Sequence, residues 1–275
     1  MADESRSIKT PVAVITGGAS GIGLACAWRL GRSHQLVLVD NNHDTLESAT
    51  AALRSAGFAV TPKEIDVTVA TALAGLADEV RALGRLAVLV NAAGLSPTMA
   101  GGRRIMQVNL VGTALVERAF LPLVEAGTAA VLIASNAGHM SAAAQAHEAA
   151  LIRPLDPDLL SKLGADGESP EIAYSLSKRG VMLYCEAVAP DWAKRGGRVV
   201  SVSPGMIETP MGKLEFSKQP LMKPMLDMTP LGRWGQADDI AAAVEFLVSP
   251  QASFITGTDL RVDGGITPLF KHMVA

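Results

Sequence analysis

The chain has 275 residues, enough for one large domain, and its 49% hydrophobic against 19% charged residues exclude a disordered protein. Its formal net charge of −3 provides no general attraction to nucleic acid or anionic membranes, so neither is expected as a partner. Segment 1–10 lacks the apolar core of a signal peptide, and no apolar run reaches the roughly 18 residues of a membrane span, so we expect a soluble, cytoplasmic protein.

Short apolar, β-branched runs alternate with helical patterns along the chain. The runs predict strands at Val12–Ile15, Leu36–Val39, Ala87–Val90, Val131–Ala134 and Val199–Val202, with weaker candidates at Ala59–Lys63 and Leu260–Val262. The helical patterns are Ile22–Leu30, Thr45–Ser55, Val69–Leu83, Ile105–Val124, Ile172–Ala193 and Asp238–Val248. Strands that are apolar on both faces predict a seven-stranded parallel sheet with helices on both sides, in one doubly wound Rossmann-type α/β domain spanning residues 1–275.

Two segments interrupt this alternation. Residues 138–170 carry Gly, Pro and acidic residues and are interpreted as an insertion before a helix. Residues 206–228 hold 5 of the 11 methionines, together with three prolines. Such a segment is either a lid over an apolar ligand or a surface helix held on the core by its methionines.

A glycine-rich turn follows the first strand. In TGGASGIG, Thr16–Gly23, the residues Gly17, Gly21 and Gly23 open the first helix. Glycine permits a sharp turn and close approach of a pyrophosphate, whose charge the free N–H groups of a helix N-terminus stabilise. The pattern therefore favours a dinucleotide site.

Asp40 ends the second predicted strand. A carboxylate there can accept hydrogen bonds from the adenosine ribose hydroxyls and would repel the 2′-phosphate of NADP. The glycine turn contains no Arg or Lys, so NAD is the predicted cofactor. The alternative is that Asp40 only caps the following helix.

Tyr174 and Lys178 are four residues apart in YSLSK, which places both side chains on one face of a helix. A free tyrosine titrates near pH ~10. An ammonium ~4 Å away, at an effective dielectric of ~20, contributes about 4 kcal/mol, which corresponds to a pKa lower by about three units. The spacing thus predicts a proton-transferring tyrosine activated by its lysine.

Taken together, these motifs resemble the short-chain dehydrogenase/reductase family from about Val12 to Gly265. The resemblance implies a catalytic set of Asn109 in VNLVG, Ser135 in IASNAG, Tyr174 and Lys178. It further implies that Ser135 orients the substrate oxygen, that Lys178 also holds the nicotinamide ribose, and that Asn109 holds a water. The cofactor-binding residues implied are Gly17, Ser20, Gly21, Ile22, Gly23, Asp40, Asp66, Val67, Asn91, Ala92, Ala93, Gly94, Tyr174, Lys178, Pro204, Gly205, Ile207 and Thr209.

The sequence departs from the usual family pattern at two places. Ser135 and Tyr174 are 39 residues apart, and the stretch from Asn91 to Asn109 is short. Both features are similar to the 3α-hydroxysteroid dehydrogenase/carbonyl reductase branch, which has an insertion before the tyrosine helix. Asn109 is placed at the beginning of a helical run.

The function expected from these residues is NAD-dependent interconversion of a hydrophobic secondary alcohol and its ketone, with a hydroxysteroid as a candidate substrate. Enoyl reduction is disfavoured, because those relatives resemble Y-x6-K. The alternative from another class is a non-catalytic NAD sensor or interaction protein on the same fold. The family resemblance implies a homodimer or homotetramer, and we expect the insertion to block or rebuild one subunit contact.

The remaining chemistry-bearing residues give weaker signals. No Cys and His residues have zinc-ligand spacing, so no metal is predicted. Cys26 and Cys185 lie in helical patterns and are predicted to be free, buried thiols, as in a reducing compartment. His139 could contact the substrate but is more simply a surface or packing residue, and His147 has no partner that the sequence identifies.

Overall fold

The computed structural model describes residues 10–220 and 222–273, so the N-terminal segment interpreted above lies almost entirely outside the described residues. Nine strands are described, and seven of them form one fully parallel sheet in the order β3-β2-β1-β4-β5-β6-β9. The strands are β1 Pro11–Thr16, β2 Gln35–Asp40, β3 Val60–Glu64, β4 Arg85–Asn91, β5 Ala129–Ile133, β6 Arg198–Pro204, β7 Ile207–Glu208, β8 Gly235–Gln236 and β9 Asp259–Val262. All seven predicted strands are present; the short parallel pair β7 and β8 was not predicted.

Helices cover both faces of the sheet. They are α1 Gly21–Leu30, α2 His43–Ser55, α3 Ala70–Leu83, α4 Gly102–Met106, α5 Gly112–Phe120, α6 Ala137–Met140, α7 Ala142–Ala146, α8 Glu148–Leu151, α9 Leu159–Leu163, α10 Pro170–Lys194, α11 Pro210–Lys218, α12 Met222–Met228, α13 Ala237–Val248 and α14 Ile266–Met273. One apolar core lies between the sheet and α3, α5 and α10, and a second lies between the sheet and α1, α2 and α13. The predicted single doubly wound α/β domain is confirmed. Of the described helices, none is both long and apolar enough to cross a membrane.

Strand order reverses between β1 and β4, which are neighbours at the centre of the sheet. Loops that leave these two strands diverge to opposite faces and open a crevice at the carboxyl ends. Thr16, Asp40 and Asn91 end strands at this edge, and Ser135 follows β5 two residues after its last strand position. The fold therefore gathers the predicted site residues at one edge of the sheet.

The helix predicted at Ile105–Val124 is broken in the middle. Residues Gln107–Val111 form a π-helical turn between α4 and α5, and a 3₁₀ turn at Leu121–Leu123 ends the run. A π turn inserts one extra residue and commonly marks a functional position. Asn109 lies inside this turn, not at the beginning of a helix as predicted, and so is not a helix cap.

The predicted insertion forms α6 to α9, a cover of short helices packed on α10. Its residues Ala144, Leu151, Leu159 and Leu163 are buried in the same core as α10. The Arg179 guanidinium of α10 donates to Glu148 Oε1 of α8 at 2.8 Å through Nε. The segment is therefore an integral part of the packed domain.

The predicted lid consists of β7, α11 and α12. Its methionines are half-buried, and Gly212 is the only buried residue of α11. No described residue of α12 is buried. The segment lies on the domain through a thin apolar face, and the two sequence interpretations, lid or docked surface helix, both fit this packing.

Candidate active site

The glycine turn can form only with glycine at its key positions. Gly17 has a φ of +61°, and a Cβ there would lie 2.7 Å from the backbone nitrogen of Ala93. A Cβ on Gly23 would lie 2.1 Å from the carbonyl oxygen of Gly17. This close packing leaves the first turn of α1 open for a bound phosphate, whose charge the helix dipole stabilises.

Asp40 faces the glycine turn. Its carboxylate accepts hydrogen bonds from the backbone N–H of Ala19 at 3.2 Å and of Asn42 at 3.1 Å. The cap of α2 is the Asn42 side chain, which accepts from the N–H of Thr45. Asp40 is therefore not a helix cap, and its carboxylate lies beside the predicted phosphate position, where a ribose would follow.

Two further loops close around the glycine turn. A Cβ on Gly21 would meet Cγ2 of Thr209 at 3.3 Å, so Thr209 lies against the N-terminus of α1. Thr209 itself caps α11 by accepting from the N–H of Gly212 at 3.0 Å. A Cβ on Gly205 would lie 2.7 Å from Cα of Asp263, which explains why glycine follows Pro204 in this turn. Ile207 is buried beside it.

Asn91 joins β1, β4 and α5 through a buried hydrogen-bond chain. Thr16 Oγ1 donates to Asn91 Oδ1 at 2.6 Å, and Asn91 Nδ2 donates to Thr113 Oγ1 at 2.7 Å. Thr113 in turn donates to the backbone carbonyl of Asn109 at 2.7 Å. Because the side chains of Thr16, Asn91 and Thr113 are all hydrogen-bonded in this series, the segment Asn91–Gly94 is held rigidly beside the cofactor crevice.

The Asp66 carboxylate accepts three hydrogen bonds within the protein, which the sequence did not predict. One carboxylate oxygen accepts from the N–H and the hydroxyl of Thr68 at 2.9 and 2.7 Å. The other accepts from Arg104 Nη2 at 2.7 Å. Burial favours the neutral acid, but these hydrogen bonds outweigh it and hold the pKa of Asp66 below its usual range. Nothing in the sequence indicated that Arg104 would pair with Asp66. The neighbouring predicted residue, Val67, is buried against Gly112.

Tyr174, Lys178 and Ser135 come together although 39 residues separate the serine from the tyrosine. The Lys178 ammonium lies 5.8 Å from the centre of the Tyr174 ring and donates to the carbonyl of Ile133 at 2.9 Å. Ser135 is buried at the end of the same strand, and its Oγ accepts from the N–H of Ala137 at 3.3 Å. Lys178 is only 5% exposed, so it is not a solvated surface charge.

Asn109 connects the cofactor loop to the tyrosine helix. Its Oδ1 accepts from the N–H of Leu95 at 2.7 Å, and its Nδ2 donates to Leu95 O at 2.9 Å and to Ser177 Oγ at 3.2 Å. Ser177 passes the connection to the carbonyl of Tyr174 at 2.7 Å. A Cβ on Gly94 would meet Asn109 Oδ1 at 3.3 Å and Lys178 Nζ at 3.6 Å. Asn109 and Lys178 therefore both lie against Gly94, at the end of the cofactor loop.

The predicted lowering of the tyrosine pKa is wrong for the cofactor-free protein. Burial raises the pKa of Tyr174 above its usual range, the charge of Glu215 adds to this effect, and an interaction with the Ser135 hydroxyl opposes it. Burial also lowers the pKa of Lys178 to about 8, while Glu215 acts in the opposite direction. The physical reason is desolvation: the low-polarity site disfavours both ionic forms before any ligand charge enters.

Two polar side chains beside this set had no signal in the sequence. Glu215 of α11 is half-buried, and burial raises its pKa to about 7, against the opposing charge of Lys178. Asn136 follows Ser135, is 6% exposed, and has an amide nitrogen without a hydrogen-bond partner among the described residues. Asn136 is at the site because it follows Ser135 in the chain, whereas only the packing of the lid brings Glu215 towards it.

The two histidines of the insertion have structural partners. His139 Nε2 lies 2.7 Å from Asp259 Oδ2 and ties α6 to β9, which confirms the packing interpretation. His147 Nε2 lies 2.9 Å from Asp166 Oδ2 within the insertion itself. Within residues 10–220 and 222–273, no three His, Cys, Asp or Glu side chains converge on a possible metal position.

A cavity of about 200 Å³ lies next to the turn at Pro204–Gly205. It is bordered by Met206 and Thr229 at the two ends of the lid and by Val262 and Gly264 after β9. The catalytic side chains are not part of its wall. It adjoins the crevice from the side of the lid.

Comparison with known proteins matches the chain to two family models. The model described as short chain dehydrogenase covers residues 11–150, and one described as Enoyl-(Acyl carrier protein) reductase covers residues 160–267. The chain is 34% identical over 254 residues to a short-chain dehydrogenase/reductase of Alternaria brassicicola, covering 90% of this chain and 93% of the relative. It is 35% identical over 267 residues to galactitol 2-dehydrogenase (L-tagatose-forming) of Cereibacter sphaeroides, covering 93% and 94%.

Solved structures agree with this assignment. The 3-alpha-hydroxysteroid dehydrogenase from Pseudomonas sp. B-0831, complexed with NADH, superposes with a TM-score of 0.78 at 28% identity, covering 96% of this chain and 99% of that one. The matches extend over both the glycine turn and the Tyr174 helix. The chain is therefore an oxidoreductase of the short-chain dehydrogenase/reductase family.

Proposed function

We propose that the protein is an NAD-dependent dehydrogenase that interconverts a secondary alcohol with an apolar body and its ketone. The observation that carries this proposal is the convergence of Ser135, Tyr174 and Lys178 at the end of β5, beside a turn that a Cβ at Gly17 or Gly23 would fill. This arrangement places a proton-transfer pair next to a dinucleotide crevice.

The residues fit a nicotinamide dinucleotide along its whole length. The open first turn of α1 would receive the pyrophosphate, Asp40 the adenosine ribose, and the turn at Pro204–Gly205 the nicotinamide. When bound, the nicotinamide supplies the hydride acceptor or donor. Asp40 supports NAD over NADP, because its fixed carboxylate would repel a 2′-phosphate and no described Lys or Arg is paired with it.

In the oxidative direction, Ser135 and Tyr174 would both bind the alcohol oxygen. Ser135 orients it, and Tyr174 takes its proton as the hydride leaves the carbinol carbon. Lys178 places a positive charge beside the ring, which favours the phenolate over what burial alone would allow. Its hydrogen bond to Ile133 O fixes that charge relative to the strand that carries Ser135.

The residues of the lid support the proposal that the substrate has an apolar body. Met206, Met211 and Leu214 are half-buried on the side of the lid that meets the domain. A flexible thioether surface accommodates apolar ligands of several shapes. A hydroxysteroid remains one candidate, in keeping with the hydroxysteroid dehydrogenase among the similar structures.

The proposal is tested with pure protein, NAD⁺ or NADP⁺, and a panel of secondary alcohols that includes 3α- and 17β-hydroxysteroids. We expect NADH formation with NAD⁺, and a fall in kcat of about 10²–10⁴-fold in Tyr174→Phe with NAD⁺ binding retained. A trans-2-enoyl thioester with NADH serves as a second substrate class and should not react. Tight NAD⁺ binding without turnover of any alcohol would instead support the non-catalytic sensor.

We also propose that the chain assembles as a homodimer or homotetramer. The insertion packs on α10, where Glu148 pairs with Arg179, so this part of the helix is not free for a subunit contact. By contrast, Phe254, Leu260 and Phe246 are exposed around β9, the edge strand of the sheet. Light scattering on the wild type should give a multimer, and Phe254→Asp should shift it towards a monomer; a monomeric wild type would overturn the proposal.

A cytoplasmic location is proposed as well. It is supported by Cys26 and Cys185, which are both buried and unbridged. Fractionation of the producing cells would test it.

A further inference from the structure

The single-turn helix α6 begins two residues after Ser135 and carries a histidine, His139, that the proposed chemistry does not use. The backbone of α6 continues the serine loop directly. The N–H of Gly138 donates to Ser135 O at 3.1 Å, and the N–H of Ala137 donates to Ser135 Oγ at 3.3 Å. The position of Ser135 Oγ therefore depends on where α6 lies.

One side of α6 is fixed by close packing on the tyrosine helix. A Cβ on Gly138 would lie 2.6 Å from the backbone nitrogen of Arg179 and 2.9 Å from the carbonyl carbon of Lys178, so the two backbones are in contact. This contact sets the distance between the serine loop and α10. A contact at one point leaves α6 free to rotate about it, and a helix of four residues is not stable by itself.

The other side of α6 is fixed by a buried pair of side chains. His139 Nε2 lies 2.7 Å from Asp259 Oδ2 on β9, and Asp259 Oδ1 accepts from Ser201 Oγ of β6 at 2.5 Å. The His139 and Asp259 side chains are only 15% and 9% exposed, so little water competes with the pair. Ser201 is fully buried, and its hydrogen bond holds the carboxylate in one orientation. The imidazole thus joins α6 to two strands of the sheet.

We propose that His139, held by Asp259, is a positioning residue for Ser135. It sets the orientation of α6, and through α6 the direction in which Ser135 Oγ meets the substrate oxygen. Because a displacement of about 1 Å at a reacting group can lower a rate by about 10²-fold, a pair outside the site can control catalysis in this way. His139 itself exchanges no proton with the substrate. The inference rests on the proposed dehydrogenase function.

The simpler alternative is that the pair only stabilises the fold. The chain contains a second pair of this kind for comparison, since His147 Nε2 lies 2.9 Å from Asp166 Oδ2. These two side chains are 21% and 40% exposed, and they join two parts of the insertion rather than the serine loop to the sheet. His147→Leu is therefore the matched control for His139→Leu.

The first experiment is a double-mutant cycle on the oxidation of the best alcohol of the panel. His139→Leu should lower kcat/KM at least about tenfold and leave the Kd of NAD⁺ within about twofold. His139→Gln, which keeps an N–H at similar reach, should recover at least about threefold of that loss. In the Ser135→Ala background, His139→Leu should lower kcat/KM by less than about a further twofold, because no serine is left to position. A full tenfold loss in that background, or an equal loss in His147→Leu, would overturn the proposal.

Hydrogen–deuterium exchange separates failure of this inference from failure of the proposed function, because it needs no substrate. The N–H groups of residues 136–139 should exchange at least about tenfold faster in His139→Leu than in the wild type or in His147→Leu, and those of the glycine turn should not change. If this result is obtained but the wild type oxidises no alcohol, the positioning of the loop stands and the dehydrogenase function fails. Unchanged exchange in residues 136–139 would overturn the inference whatever the activity. If His139→Leu does not fold, His139→Asn, whose shorter amide does not reach Asp259, takes its place with the same expected results.

Discussion

Lys178 Nζ donates a hydrogen bond to the carbonyl oxygen of Ile133 at 2.9 Å, and this bond joins the tyrosine helix to the strand that carries Ser135. Ile133 is two residues before the serine, and Lys178 is one helical turn after Tyr174. The bond therefore fixes the tyrosine and the serine relative to each other across the long insertion. It also provides an acceptor for the Lys178 ammonium group, which is almost fully buried.

The first prediction concerns the free energy of burying that cation. The pKa of Lys178 in the folded protein is about 8, and that of an unfolded lysine is ~10.4. Below pH 8 both states hold the proton, and the buried charge costs about 3 kcal/mol of stability. As the pH rises from 8 towards 10.4, the folded state loses its proton first, so the cost is relieved and stability rises.

Denaturant unfolding of the wild type and of Lys178→Met at several pH values checks this. We expect the stability of the wild type minus that of the variant to be flat below pH 8 and to increase between pH 8 and 10. Taking the difference removes the titration of the buried cysteines and tyrosines, which both proteins share. A difference that stays constant over this range would mean that Lys178 keeps its proton in the folded protein as it does in the unfolded one, so that its pKa is not lowered by burial.

The second prediction concerns cofactor choice. Asp40→Ser removes the carboxylate but keeps a residue that can accept from the nearby backbone N–H groups. The ratio of kcat/KM for NAD⁺ to that for NADP⁺ should fall at least about tenfold, since charged hydrogen bonds to the ribose contribute about 1.5–3 kcal/mol. Asp44→Ser, an exposed acid in the first turn of α2, is the matched control. An unchanged ratio would exclude Asp40 from the selection.

The third prediction compares two glycines. Gly23→Ala would put a Cβ 2.1 Å from the carbonyl oxygen of Gly17, so the turn must open. NAD⁺ affinity should fall more than tenfold by fluorescence titration, with a loss of thermal stability. Gly75→Ala on the exposed side of α3 meets nothing within 4 Å and should raise stability by about 0.5–1 kcal/mol. Equal behaviour of the two variants would contradict the tight turn.

The fourth prediction concerns a buried carboxylate away from the site. Glu117 of α5 is 2% exposed and accepts from Tyr184 Oη and Trp192 Nε1 of α10, each at 2.7 Å. Burial raises the pKa of Glu117, and these two hydrogen bonds oppose that rise. Glu117→Ala leaves both donors without their acceptor and should destabilise the protein by about 2–3 kcal/mol in denaturant unfolding.

The control for this variant is Glu186→Ala, an exposed acid on α10, for which a change within about 0.5 kcal/mol is expected. Comparable losses in both would mean that the α5–α10 contact does not depend on the buried network.

The strands, the glycine turn, Asp40, and the helical pair Tyr174 and Lys178 could be predicted from the sequence. Each depends on residues close together in the chain: the apolar runs set the sheet, the glycines set the turn, and a spacing of four sets a shared helical face. Ser135 and Asn109 were identified by resemblance, and the position of Asn109 in its helix was wrong. A π turn depends on what the helix packs against, and no local pattern announces it.

Only the tertiary structure decided the direction in which the pKa values of Tyr174 and Lys178 are shifted. The packing of β5 on α10 desolvates Lys178 and Tyr174, which reverses the pKa direction that a simple pair at ~4 Å in a medium of dielectric ~20 would give. Arg104 reaches Asp66, and the charge of Glu215 acts on Lys178 from the lid, through contacts between elements far apart in the chain. The sequence by itself thus determined the fold, the cofactor crevice and the proton-transfer pair, because these follow from local periodicity and backbone sterics. Burial, and with it the charge state of the site and the groups that meet the substrate, arises only when distant segments pack together.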